Sequence, residues 1–143
     1  MGVVYDKVIQ YLKKYHGGIA WRIKKHATVL DLHVNPDEIV LYAFPAQKND
    51  SIWDFFSTCI VCLTNKRILI GQKYLVYGYS LTSITPDLFN DMEIYEGLLW
   101  GRVVIDTVKE EVTLTNIDKK ALPEIETEIS QLMMTEKQKY GQK

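Results

Sequence analysis

The sequence predicts a mainly β fold with helices, of the α+β class: seven antiparallel strands curled into a barrel, capped by a C-terminal helix and preceded by an N-terminal helical extension. Three observations carry this reading. Residues 38–117 hold seven short stretches rich in β-branched and aromatic residues. Apolar residues recur at helical spacing before residue 32 and again after residue 120. Several connections between neighbouring stretches are only a few residues long, which permits antiparallel hairpins and excludes parallel crossovers. The 143 residues are 47% hydrophobic and 24% charged, so a chain of one-domain length has material enough for a core without disulfides or metals.

Taken in order, Val4, Val8, Tyr11, Leu12 and Tyr15 share one helical face with Lys7, Lys13 and Lys14 off it, and Gly17 and Gly18 form the expected stop. A narrower stripe of Ile19, Ile23, Ala27 and Leu30 leaves Arg22, Lys24 and Lys25 outside, and Asn35-Pro36-Asp37 closes that segment. Strands are expected over residues 38–46, 55–64, 67–71, 75–84, 92–96, 101–107 and 112–117, joined as a meander and interrupted by Pro86 and residues 87–91. Ala121, Leu122, Ile125, Ile129, Leu132 and Met133 then return to one helical face, with Pro123 suited to the first turn. The expected organisation is a helical extension over residues 1–34, a barrel with its capping helix over 35–135, and a frayed polar tail over 136–143.

Charge narrows the function classes. The formal net charge is −1, which lacks the cationic footprint of a general nucleic-acid binder. Locally the balance is uneven: residues 1–27 carry six basic residues and one acidic, while residues 91–118 carry two basic and seven acidic. No apolar run approaches the ~20 residues of a spanning helix. The N-terminus puts charge inside its apolar face and lacks a cleavage site, so reduced thiols and a cytoplasmic location are expected.

No constellation points to catalysis or to a bound cofactor. Cys59 and Cys62 form a C-x-x-C, but within a strand residues three apart project to opposite faces and cannot share a metal. His16, His26 and His33 show no ligating spacing and are read as surface or helix-terminal residues. The serines lack a nucleophile elbow, and no glycine-rich phosphate loop is present. The expectation is therefore no catalytic residue, no cofactor, no metal and no nucleic acid.

The run Cys62-Leu63-Thr64-Asn65-Lys66-Arg67-Ile68-Leu69-Ile70, the segment Gly97-Leu98-Leu99-Trp100-Gly101-Arg102-Val103-Val104-Ile105 and the closing helix together resemble the YokE-like branch of bacterial pleckstrin-homology (PH) domains, related in shape to GRAM domains. The resemblance covers about residues 35–134 and implies a PH-like barrel of two bent antiparallel sheets with a helix in one open corner. The N-terminal helical extension departs from a minimal PH domain. Many PH domains hold phosphoinositide headgroups with cations on the first hairpin loop and its neighbours. The equivalent loops here set Lys48, Lys73 and Lys109 against Asp50, Asp54, Glu110 and Glu111, a poor trap for phosphate.

The reading that follows is a non-enzymatic interaction module that binds a protein partner or self-associates through Val4, Val8, Tyr11, Leu12 and Tyr15 of the first helix and through the apolar tips Ile52, Trp53, Leu98 and Leu99. The alternative is weak peripheral attachment to a membrane through the basic amphipathic N-terminal helix and the same apolar loop tips, with Lys7, Lys13, Lys14, Arg22, Lys24 and Lys25 as contacts to an anionic surface. A third reading, an enzyme with a cysteine nucleophile, has no base to serve it.

Overall fold

The β-rich stretches form seven strands in the computed structural model, which describes residues 2–48 and 57–141, with side chains as far as Thr135. Two helices come first, α1 (Val3–Lys14) and α2 (Ile23–Asp31). The strands are β1 (Val40–Gln47), β2 (Thr58–Thr64), β3 (Ile68–Lys73), β4 (Tyr79–Ile84), β5 (Phe89–Glu96), β6 (Gly101–Thr107) and β7 (Glu111–Ile117). A single 3-10 turn, capped by the Asp118 carboxylate on the Lys120 N–H, leads into α3 (Leu122–Gly141). Helix α3 thus runs through most of the tail expected to fray.

The strands form one antiparallel sheet in the order β4-β3-β2-β1-β7-β6-β5. The expected single meander is in fact two meanders joined at β1 and β7, and that junction is narrow: among the described residues only Gln47 and Thr115 stand in register across it. The sheet bends there into two halves that enclose one core, where Phe44, Val61, Ile70, Val103, Ile105 and Leu114 meet Ile125, Ile129 and Met133 of α3. The weak junction also explains Pro45 inside β1. Its missing N–H costs no ladder bond, because β1 is paired along its length only on the β2 side.

Every residue of β2 is buried, which the alternating half-exposed pattern of a barrel strand would not produce. The cause is the N-terminal extension. Val4, Val8, Ala27 and Leu30 pack on Val40, Ala43, Ile60, Cys62 and Leu69, covering the outer face of the first half-sheet while the barrel core fills its inner face. The α1 N-terminus is fastened to the end of α2 by the Val4 N–H on Asp31 Oδ1 at 2.9 Å. Helix α1 ends at Lys14 rather than at Gly17 and Gly18. Gly18 (φ 85°) instead lies against β7, where a Cβ would come within 2.6 Å of the Asn116 carbonyl oxygen. No helix among the described residues is long and apolar enough to cross a membrane.

Candidate functional site

The longest run of exposed apolar and aromatic residues in the described chain is the turn between β3 and β4. The ladder closes at Lys73 and Tyr79, and the Tyr74 N–H donates to the Gly78 carbonyl at 3.1 Å, so the intervening residues leave the sheet. Tyr74, Leu75, Val76 and Tyr77 are 45%, 57%, 85% and 82% exposed. Residues 75–78 were expected to belong to a strand. Their β propensity is real, but the turn places them beyond the last ladder pair, where no described element packs over them.

Helix α2 lies along β3 and brings cations to this crest. Arg22, in a left-handed conformation (φ 54°), starts the helix with its guanidinium 5.2 Å over the Trp21 ring and within 3.4 Å of the Lys73 carbonyl oxygen. One turn on, His26 is fully buried and accepts the Lys73 N–H on Nδ1 at 2.8 Å. Its Nε2 is buried without a hydrogen-bond partner. Burial, with the Arg22 charge as the lesser cause, lowers its pKa from 6.5 to about 4, so the imidazole is neutral at pH 7. The expectation of a surface or helix-terminal His26 is therefore corrected: it is the peg that fixes α2 to the base of the hairpin. Residues 17–30 and 71–84 together contain Arg22, Lys24, Lys25 and Lys73 and no acidic residue. Among the described residues none of these four forms an ion pair.

A groove of about 320 Å³ runs between α2 and the hairpin. Val29 forms its floor, Leu32 and Tyr79 its apolar walls, and Lys25 and Lys73 stand on its rim. His33 donates from Nδ1 to the Val29 carbonyl (2.6 Å), and its Nε2 meets the Tyr79 hydroxyl at 3.2 Å.

The residues singled out from the sequence are not gathered in one place. Val4, Val8 and Tyr11 are buried against the chain's own sheet and offer no surface in this conformation, while Leu12 and Tyr15 are half-buried beside them. The geometric reason is the second face of the β1–β3 sheet, which their helix must cover. Lys13 and Lys14 are exposed and Lys7 partly so, with Lys14 engaged to Glu124 at 2.9 Å. Arg22 and Lys25 lie near Lys73 at the base of the crest, and Lys24 is exposed on the first turn of α2. Leu98 and Leu99 are 88% and 71% exposed at the β5–β6 turn. Ile52 and Trp53 lie outside the described residues. Cys59 and Cys62 face opposite sides of β2, one in the barrel core and the other under the helices. Burial pushes both thiols up to about 12, far from the range of a nucleophile at neutral pH. The Thr64-Asn65-Lys66-Arg67 turn, at the far end of the strands, is a clamp: Arg67 holds Glu38 through Nη2 (2.7 Å) and Nε (3.1 Å), and the Thr64 hydroxyl donates to the same carboxylate at 2.7 Å.

Sequence reasoning missed Tyr74, Leu75, Val76 and Tyr77. The available signal was Gly78 inside Tyr77-Gly78-Tyr79, a turn residue within an apolar run that shows no strand alternation. No group of three or more His, Cys, Asp or Glu side chains able to hold a metal occurs among the described residues.

A seven-stranded antiparallel sheet bent at one narrow junction, with a terminal helix in its corner, defines a PH-like α+β fold. The family described as Bacterial PH domain matches residues 34–131, and the chain belongs to it. The match begins where the N-terminal extension ends. No curated protein and no solved structure matches the chain.

Proposed function

We propose that this chain is a non-catalytic module of the YokE-like branch that attaches peripherally to anionic membrane surfaces, with the β3–β4 crest as the inserted element and the basic side of α2 as its electrostatic support. One observation carries the reading: four exposed apolar and aromatic side chains project from a single turn whose base, with the first turns of α2 beside it, holds Arg22, Lys25 and Lys73, and residues 17–30 and 71–84 contain no acidic residue. Tyrosines suit such a site, since the ring enters the acyl boundary while the hydroxyl stays among headgroups.

Magnitudes show why both parts are required. Basic residues at an anionic surface contribute about 1 kcal/mol each, so four give about 4 kcal/mol, equivalent to a Kd of about 1 mM. Burying Leu75 and Val76 would add up to about 1.5–3 kcal/mol apiece, which brings attachment into the micromolar range. Insertion of α1 by its apolar face is disfavoured, because that face is already covered.

Co-sedimentation with vesicles tests the proposal. Phosphatidylglycerol-containing vesicles should carry the protein down at low salt and release much of it at high salt, while neutral phosphatidylcholine vesicles should leave it in solution. Equal binding to both, or none to the anionic vesicles at low salt, would overturn the reading.

A protein contact has its own support at the opposite end of the strands. Leu98 and Leu99 protrude between Glu96 and Arg102, and Lys119 Nζ donates to the Leu98 carbonyl at 3.0 Å. An apolar tip ringed by mixed charge suits a protein surface better than a bilayer. If the contact is between copies, light scattering should give a mass above one subunit that Leu98→Asp returns to the monomer. A monomer across a broad concentration range would exclude self-association.

A further inference from the structure

We infer that the groove between α2 and the β3–β4 hairpin binds a single-chain anionic amphiphile, a free long-chain carboxylate, as a dissolved ligand and independently of any bilayer. Its volume of about 320 Å³ lies at the lower end of small-molecule sites. The residues that line it divide by chemistry. Val29, Leu32 and Tyr79 supply an apolar channel, and Leu32 is 77% exposed at the end of α2. Lys25 and Lys73 come from separate elements to the same rim, and among the described residues no acidic side chain lines the groove.

A chain with a negative head meets both requirements at once. The acyl chain would cover Val29, Leu32 and Tyr79, and the carboxylate would lie within reach of two ammonium groups that have no ion-pair partner among the described residues. A cationic or neutral head would leave that rim unmatched. The walls are already shaped: the His33 ring is tied to the Val29 carbonyl and to the Tyr79 hydroxyl, which holds Tyr79 upright against α2, and His26 fixes the adjoining strand. Little ordering is left for a ligand to impose.

The test uses titration calorimetry on the full chain with three probes of equal chain length, the two ions below their micellar concentrations and the alcohol below its solubility limit: decanoate, decyltrimethylammonium and decanol. Decanoate should bind saturably to one site, and the other two at least about tenfold more weakly. Lys25→Glu with Lys73→Glu should weaken decanoate by at least about tenfold and reverse the preference toward the ammonium probe. Leu32→Asn should weaken decanoate while leaving the melting temperature unchanged, since the side chain is exposed. Val76→Asp with Tyr77→Asp, which removes the crest, should bind decanoate like the parent chain. That variant separates this inference from the membrane reading, since vesicle binding should be lost while decanoate binding persists. Equal affinity for all three heads, absence of decanoate binding, or its loss on changing only the crest would overturn the groove as the site.

Discussion

Replacing Arg67 with Met should be among the most damaging single changes to this fold, because it leaves a buried carboxylate without its cation. The Glu38 side chain is 1% exposed, and Arg67 meets it through two nitrogens. Burial alone would raise the Glu38 pKa, but hydrogen bonds from Arg67, from Thr64 and from the Asn35 N–H outweigh it and lower the value from 4.5 to about 2. At about 1.36 kcal/mol per pH unit that difference corresponds to about 3 kcal/mol, an upper figure because Arg67 itself reaches solvent. A carboxyl depressed in the folded state stabilises the protein above its unfolded pKa, and the contribution is lost as pH falls from about 5 towards 2. Urea unfolding at pH 7 should therefore show Arg67→Met destabilised by about 3–5 kcal/mol, the cost of breaking a buried pair. Glu38→Gln should lose less at pH 7 and show a flatter decline between pH 5 and 3 than the parent chain. A loss below about 1 kcal/mol for Arg67→Met, or an acid decline that Glu38→Gln leaves unaltered, would refute this assignment of the clamp.

Three further outcomes follow from the same geometry. His26 is neutral when folded and ionises in the unfolded chain as pH drops below 6.5, so stability should decline between 6.5 and about 4; His26→Gln, which keeps an acceptor for the Lys73 N–H, should flatten that limb in unfolding curves taken across the range. Cys59 and Cys62 should react with iodoacetamide at neutral pH no faster than the protein unfolds, and rapid labelling of either would contradict their burial. At Gly71 an added Cβ would lie 2.7 Å from Leu30 Cδ2 and 2.8 Å from its Cγ, so Gly71→Ala should cost about 1–3 kcal/mol by forcing α2 off the sheet. A thermal melt of Gly71→Ala indistinguishable from that of the parent would contradict the close approach of Leu30 to Gly71.

Much of the architecture was legible because the signals were local. The strand positions followed from β-branched stretches, the α3 face from Ala121 to Met133, and the opposed cysteines from the two-residue period of β2. The partners of those elements were not local. Glu38 and Arg67 are 29 residues apart, and nothing in either neighbourhood announces the other. The apolar stripe of α1 was equally readable, but not what it covers: the outer face of the sheet and the helix were two apolar surfaces whose meeting only the fold decides. The crest was hidden for the opposite reason. Leu75, Val76 and Tyr77 have the composition of a buried strand, and only the ladder ending at Lys73 and Tyr79 exposes them.

Co-sedimentation of Val76→Asp/Tyr77→Asp beside the parent chain, on phosphatidylglycerol vesicles at low salt, tests the functional account most directly. Both side chains project into solvent, so the variant should keep the melting temperature of the parent while its vesicle-bound fraction falls at least about tenfold, the loss of roughly two apolar contacts. A variant that sediments like the parent would contradict the crest as the membrane-contacting element.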